Sequence, residues 1–260
     1  MEHFEVAVIG HLGEVGSAIF ELARGCHTVI GIDKETWSTE DRAVTCEFMH
    51  VCLSYSEGFI GHVMHYAAEL QPDIVIVHST VPPGTCDALY AALAEEHPVN
   101  VVHSPIRGVH PRLKSGILHY TKYVGVAGNG HGGTALMDVI THLTDLGCRC
   151  VEPLLNARTC EVGKLLSTTL YASTIATHQT FERVCKHNKV PYDEAVTEFN
   201  STYFLGRDLK SPRPDMYPGV IGGHCLMPNI DILINQNGFI DPMLRGIVES
   251  NEMKKEDEQQ

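Results

Sequence analysis

The chain has 260 residues, 43% of them hydrophobic and 20% charged, a balance that supports a packed core and excludes wholesale disorder. Its formal net charge of −13 argues against a general nucleic-acid binder, which needs a basic face to neutralise phosphates. No apolar run reaches the length of a membrane span, and a strand pattern begins by about Phe4, so no membrane partner, no leader peptide and a cytoplasmic setting are expected. The nine cysteines are scattered and odd in number, which points to free thiols in a reducing compartment.

In chain order, "FEVAVIG" (Phe4 to Gly10) is a short β-branched apolar run of the kind that forms a buried parallel strand. It runs into "GHLGEVGSAIFELARG", where Gly10, Gly13 and Gly16 are spaced by three and Ala18, Ile19, Leu22 and Ala23 recur at helical spacing. A strand that turns sharply into a helix aims the first helical N–H groups at an anion, and side chains there would block a diphosphate. Gly10, Leu12, Gly13, Glu14, Val15 and Gly16 are therefore candidates for holding a dinucleotide. The second strand, "HTVIGID", ends in Asp33, placed to accept hydrogen bonds from ribose hydroxyls and to repel a 2′-phosphate. NAD is expected rather than NADP, a preference that the adjacent Lys34 softens.

Further strands are expected at "FMHVCLS" (48–54), "DIVIVHST" (73–80), "VNVVHSP" (99–105), "KYVGVAG" (122–128) and "CRCVEP" (148–153). Helices are expected up to about Leu70, around Asp87 to Glu96 and over "GGTALMDVITHLTDLG". Alternation of this kind predicts an α/β fold, a Rossmann-type mainly parallel sheet, with ligands beyond the carboxyl ends of its strands. The loops that start at Gly10, Ser54, Thr80 and Ser104 then surround one cleft, with Ser54, Ser79 and Thr80 as further cofactor candidates. Cys148 and Cys150 would share one strand face, but no second ligand pair accompanies them. No metal site is expected, and most of the sixteen histidines read as surface or packing residues.

From Asn156 the alternation stops. A proline-free stretch starting there predicts a helix of more than about thirty residues, far longer than usual, which needs support along its length. A homodimer is one way to supply it. A second helix is expected over Tyr192 to Tyr203 and a last one from about Ile240, with "ESNEMKKEDEQQ" read as a solvated end. The division is thus residues 1–153 for a dinucleotide-binding domain and 154–260 for a smaller helical domain built on the long central helix. Arg207, Lys210 and Arg213 offer local charge for a small anion. The segment "YPGVIGGHCLMPN" (217–229) is too glycine-rich for a regular element and holds Cys225 directly behind Gly-Gly-His.

Four segments, "VIGHLGEVG", "HSTVPPGT", "EVGKLLSTT" and "GVIGGHC", occur in an order and spacing that resembles the UDP-glucose/GDP-mannose dehydrogenase family, closest to the branch that oxidises UDP-N-acetylmannosamine. The resemblance implies oxidation of a primary alcohol of a nucleotide sugar, a small-molecule substrate, with NAD. It implies that Cys225 attacks the aldehyde of the first oxidation, and that the thiohemiacetal yields a second hydride and leaves a thioester for hydrolysis. It also implies that Lys164 stabilises negative charge on the reacting oxygen, with Glu161 and Thr80 nearby.

Three positions depart from the family pattern. Ile106 stands where the family has a glutamate, Thr168 where it has an asparagine, and Asn229 where it has an aspartate. An amide keeps shape and hydrogen bonding but holds no charge, so these departures bear on the second oxidation more than on the first. The family's third domain is not matched either. The alternative is a catalytically impaired NAD-binding homologue with a regulatory or scaffolding role. A 3-hydroxyacid dehydrogenase of the same broad group is a third reading, since such enzymes share a helix lysine without the thiol.

Overall fold

A computed structural model describes residues 2–34, 44–95, 99–109, 111–128, 133–202, 216–223, 225–235 and 241–259. Arg207, Lys210 and Arg213 lie outside these ranges. The chain divides into two compact units, Met1–Lys164 and Leu165–Gln260.

The first unit is built on a seven-stranded sheet of order β2-β1-β3-β4-β5-β6-β7. Its strands are β1 (Glu2–Ile9), β2 (Val29–Ile32), β3 (Val44–Val51), β4 (Ile74–Val77), β5 (Asn100–His103), β6 (Lys122–Val126) and β7 (Val151–Pro153). Every pairing is parallel except β5 with β6. The expected Rossmann-type α/β architecture is therefore present.

Alternation along the strands splits the core into two layers. Ala7, Ile9, Val75 and Val77 pack on one face, and Val6, Val8, Ile74 and Ile76 on the other. Each fully buried Val or Ile contributes about 1.5–3 kcal/mol. Helices α1 (Glu14–Ala23), α2 (Phe59–Leu70), α3 (Thr85–Ala94), α4 (Leu113–His119) and α5 (Gly133–Asp145) supply the rest of these layers. The strand order reverses at β1, with β2 on one side and β3 on the other. A topological switch point of this kind leaves a crevice at the carboxyl ends, between the loops after β1 and β3.

Helix α6 (Ala157–Asn188) has 32 residues and runs across the division between the units. Asn156 starts it, its Oδ1 accepting the Thr159 N–H at 2.9 Å. In the second unit a π-helical segment (Asp193–Glu198) leads into α7 (Phe199–Thr202), followed by α8 (Leu226–Ile234) and α9 (Pro242–Gln259). Ala172, Ala176, Ile221, Ile230 and Ile247 form one apolar cluster there, and Leu165, Leu233 and Leu244 a second.

Several sequence expectations need correction. Strand β3 starts at Val44 rather than Phe48, because it pairs with β1 from Glu2 onward. Helix α4 was not foreseen; its seven residues carry a short apolar signal. Cys148 and Cys150 precede β7 and do not form a strand face: the Cys148 N–H closes the end of α5 on the Leu143 carbonyl at 3.1 Å. Leu226 to Asn229 are helical, since Pro228 sits in the first turn of α8, where a missing N–H costs nothing. The stretch "ESNEMKKEDEQQ" is not a solvated end. It continues α9 as far as Gln259, and Ser250, Asn251 and Lys254 are buried, with the Lys254 Nζ donating to Glu182 at 2.8 Å. Five of the histidines, at 50, 78, 103, 142 and 178, are buried, within the surface-or-packing reading of the sequence.

Candidate active site

The turn after β1 is tight for a steric reason. Gly10 has φ of +82°, a region that disfavours side chains, and its N–H is held by the Ile32 carbonyl at 2.8 Å. A Cβ at Gly16 would lie 2.0 Å from the Gly10 carbonyl oxygen, so only glycine lets α1 start this close to the strand end. Gly13 is the N-cap of α1, and no side chain caps this helix start, which points toward the loop after β1. Glu14 and Val15 open the helix, and Leu12 stands exposed on the loop. Asp33, just past β2, accepts the Leu12 N–H at 3.4 Å, so its carboxylate lies at the same loop.

Beside this turn, Ser54 is exposed in the loop after β3, and Ser79 and Thr80 follow β4. Ser79 donates through Oγ to the Leu53 carbonyl, which ties the two loops together. The glycine cradle, the helix start without a side-chain cap and the acid at the end of β2 fit the diphosphate and ribose of a dinucleotide.

Helix α6 brings Glu161 and Lys164 to the same unit, one turn apart. Glu161 is buried at 1% exposure, and its two carboxylate oxygens accept the N–H groups of Gly84 (2.6 Å) and Cys86 (2.8 Å). It thus caps the start of α3 and fixes the "PPGT" turn that follows Thr80. Burial pushes its carboxyl upward, opposed by those two N–H groups. Arg158 and Asp87 reinforce the contact at 2.9 Å. The Lys164 Nζ donates to the Ile106 carbonyl at 2.9 Å. Where the family has a glutamate, the isoleucine side chain is buried and its backbone carbonyl receives the lysine.

In the second unit, Asn229 donates through Nδ2 to Thr168 Oγ1 at 3.1 Å. Two of the departures from the family pattern, 61 residues apart, therefore meet as a neutral pair. Cys225 is half-buried and is the N-cap residue of α8. The loop that leads to it is bracketed by Asn251 of α9, whose Oδ1 accepts the Ile221 N–H at 2.7 Å and whose Nδ2 donates to the Ile221 carbonyl at 3.1 Å. Gln179 of α6 donates to the Gly219 carbonyl at 2.7 Å. The Gly10 cradle, Thr80, Glu161 and Lys164 thus belong to one unit, and Thr168, Cys225 and Asn229 to the other.

Sequence reading missed two sets of residues. One is the Asn251–Gln179 bracket, which had no signal in a polar tail. The other is a buried polar seam of His50, His78, His142 and Lys122 in the first unit. Its signal was present, since His50 falls two residues after Phe48 on one face of an apolar strand. Among the described residues no group of three or more His, Cys, Asp or Glu side chains is placed to hold a metal, and no helix is long and apolar enough to cross a membrane.

No family model matches the sequence. A curated relative, UDP-N-acetyl-D-mannosamine dehydrogenase of Methanocaldococcus jannaschii, is 26% identical over 157 residues, which is 59% of this chain and 33% of the relative. The chain thus spans about a third of that relative's length in the matched region. Among solved structures, the UDP-D-ManNAc dehydrogenase of Pyrococcus horikoshii superposes with a TM-score of 0.78 at 19% identity, covering 96% of this chain and 68% of that one. The 3-hydroxyisobutyrate dehydrogenase of Mycobacterium tuberculosis superposes with a TM-score of 0.67 at 15% identity, covering 100% of this chain and 94% of that one. The structural likenesses establish the fold. With the sequence match, they bear out the resemblance to nucleotide-sugar dehydrogenases that the four motifs carry.

Proposed function

We propose that the protein is an NAD-dependent oxidoreductase that oxidises a primary alcohol of a nucleotide sugar or a related substrate. The observation that carries this reading is the Gly10–Gly16 cradle with Asp33 at its side, in a chain whose sequence relative is a nucleotide-sugar dehydrogenase. Gly10, Leu12, Gly13, Glu14, Val15 and Gly16 would hold the diphosphate, Asp33 the adenosine ribose, and Ser54, Ser79 and Thr80 the far side of the cofactor. Bound NAD would supply the hydride acceptor.

The chain's own residues set the substrate chemistry. Lys164, held on the Ile106 carbonyl, brings an ammonium group that stabilises negative charge on the substrate oxygen. Glu161 acts through position: its carboxylate is engaged by Gly84 and Cys86 and keeps the Thr80 loop in place. Cys225 is the proposed nucleophile toward the aldehyde. Its thiolate adds to the carbonyl carbon, and the carbonyl oxygen takes up the negative charge. Thr168 and Asn229 offer hydrogen bonds near that step but no negative charge to activate water, so thioester hydrolysis is expected to be slow.

Mixing the protein with NAD and a panel of UDP- and GDP-sugars, and following the absorbance of reduced cofactor, tests the proposal. Absence of turnover at high enzyme, with tight NAD binding by calorimetry, would favour the reading as a non-catalytic NAD-binding homologue. The 94% coverage of the shorter 3-hydroxyisobutyrate dehydrogenase supports adding small hydroxyacids to the panel. We also propose a homodimer through α6, on which Leu166, Leu170 and Tyr171 stand at least half exposed. Sedimentation that shows only monomer would defeat it.

A further inference from the structure

We propose that His142, His50, His78 and Lys122 form a proton relay through the core of the first unit, joining an open pocket beside α5 to the loop at Ser104–Ile106. The chain of contacts is continuous. His142 Nε2 meets His50 Nε2 at 2.8 Å, and His50 Nδ1 meets His78 Nε2 at 2.8 Å. His78 Nδ1 lies 2.7 Å from the Ser104 carbonyl oxygen and 3.2 Å from the Lys122 Nζ. The Lys122 Nζ also donates to the carbonyls of Ser104 and of Pro105, the latter at 3.2 Å. The next carbonyl, that of Ile106, receives Lys164.

Register places the relay along the strands. The His142 ring stacks on Phe48 at 4.1 Å between centroids, His50 lies two residues further along β3, and His78 and Ser104 follow the carboxyl ends of β4 and β5. At the other end, His142 lines a pocket of about 340 Å³ with His27, Phe48 and Asp145. The four relay side chains are 0–3% exposed, yet the buried His142 Nδ1 has no hydrogen-bond partner among the described residues.

The bonding pattern has two complete states. In one, His78 and His50 carry hydrogen on Nδ1 and His142 on Nε2, and Lys122 is a neutral amine. A proton taken up at His142 Nδ1 lets the Nε2 hydrogen of His142 pass to His50 Nε2. The Nδ1 hydrogen of His50 then passes to His78 Nε2, and that of His78 to Lys122. In the second state Lys122 is an ammonium with three acceptors, His78 Nδ1 and the carbonyls of Ser104 and Pro105. One proton has entered at the pocket, one charge has appeared at the loop, and no imidazolium remains.

The electrostatics agree with neutral rings that exchange tautomers. Burial holds His50 and His78 well below the usual histidine range, and brings Lys122 down to about 7. Cys148, Cys52, Cys160 and Lys164 face the lysine from the neighbouring elements, with His78 and His103 beside it. His27 and Glu5 face His142. A buried, charge-switching lysine that grips two carbonyls next to the seat of Lys164 couples proton uptake to the geometry of that loop. The relay stands independently of the oxidoreductase reading.

The test is nitrogen-15 NMR of the full chain labelled at histidine, without ligands, from about pH 5.5 to about pH 9. His50 and His78 are expected to switch tautomer together, with a midpoint near the value of about 7 at Lys122. Lys122→Met should abolish the switch and leave both rings protonated at Nδ1. His142→Phe should slow solvent exchange of the His50 ring hydrogen about tenfold, which corresponds to about 1.4 kcal/mol in barrier. Fixed tautomers in the unmodified protein across this range, or a His50 ring hydrogen protected from exchange, would overturn the relay and leave a static polar seam. That measurement needs no variant to fold.

Discussion

Lowering the pH from 7 to 5 should strip most of the stability from the first unit. His50, His78, His103 and His142 are all 3% exposed or less. Burial is the foremost cause that lowers each one, to about 4 for His103 and about 3 for His142. The unfolded chain therefore binds more protons than the fold throughout this window, so stability falls as pH falls through about 6.5. An unfolded histidine goes from about 24% to about 97% protonated between pH 7 and pH 5, which favours the unfolded state by about 1.9 kcal/mol per residue. Four such residues amount to about 7–8 kcal/mol, against a typical total of about 5–15 kcal/mol.

Lys122 adds to the loss by about 0.4 kcal/mol, because the unfolded lysine is already fully protonated at pH 7 while the folded one, brought down to about 7, is not. One group opposes it: Glu161, pushed upward by burial, is protonated in the fold first. Urea denaturation followed by far-ultraviolet circular dichroism at half-unit steps of pH gives the curve. His142→Phe should reduce the pH-dependent loss by about a quarter. Stability at pH 5 within about 1 kcal/mol of that at pH 7 would refute the reasoning, because it would mean that the buried rings take up protons inside the fold.

Gly16→Ala should abolish NAD binding measured by calorimetry, since its Cβ would meet the Gly10 carbonyl oxygen at 2.0 Å; retained affinity would show that the turn is not the cradle. Asn251→Leu should cost roughly 2–4 kcal/mol in urea titration by leaving the Ile221 N–H and carbonyl unpaired in the core. Glu161→Gln keeps the shape but puts an NH2 group against a backbone N–H, for a loss of about 1–3 kcal/mol. Cys225→Ala should leave NAD affinity unchanged and remove any covalent adduct with an aldehyde analogue by mass spectrometry; an adduct that persists would reassign the nucleophile.

The strands and the glycine turn were legible because their signals are local. Apolar runs of four to eight residues fix the sheet, and a glycine spacing of three fixes the turn after β1. The long α6 was equally plain, since nothing between Ala157 and Asn188 breaks a helix. What escaped was set by distant partners. The polarity of "ESNEMKKEDEQQ" suggests solvent, yet Asn251 is fully buried because the Ile221 N–H and carbonyl lack a sheet partner and pair with that amide. His50 and Lys122 lie in strands that alternation alone would fill with apolar residues, and their hydrogen-bond partners are far away in sequence. Ile106 shows the same limit at the candidate site: its side chain announces a lost carboxylate, while the contact with Lys164 is made by the carbonyl oxygen, which every residue possesses.

The bracket around Ile221 also orders events during synthesis. A nascent polypeptide that has emerged from the ribosome only as far as residue 240 contains the cysteine and its glycines, but not the amide that pins the strap in front of them. The Ile221 strap is thus completed late, and a message cut short before codon 251 yields a chain with the whole first unit and with the Ile221 N–H and carbonyl left without that amide.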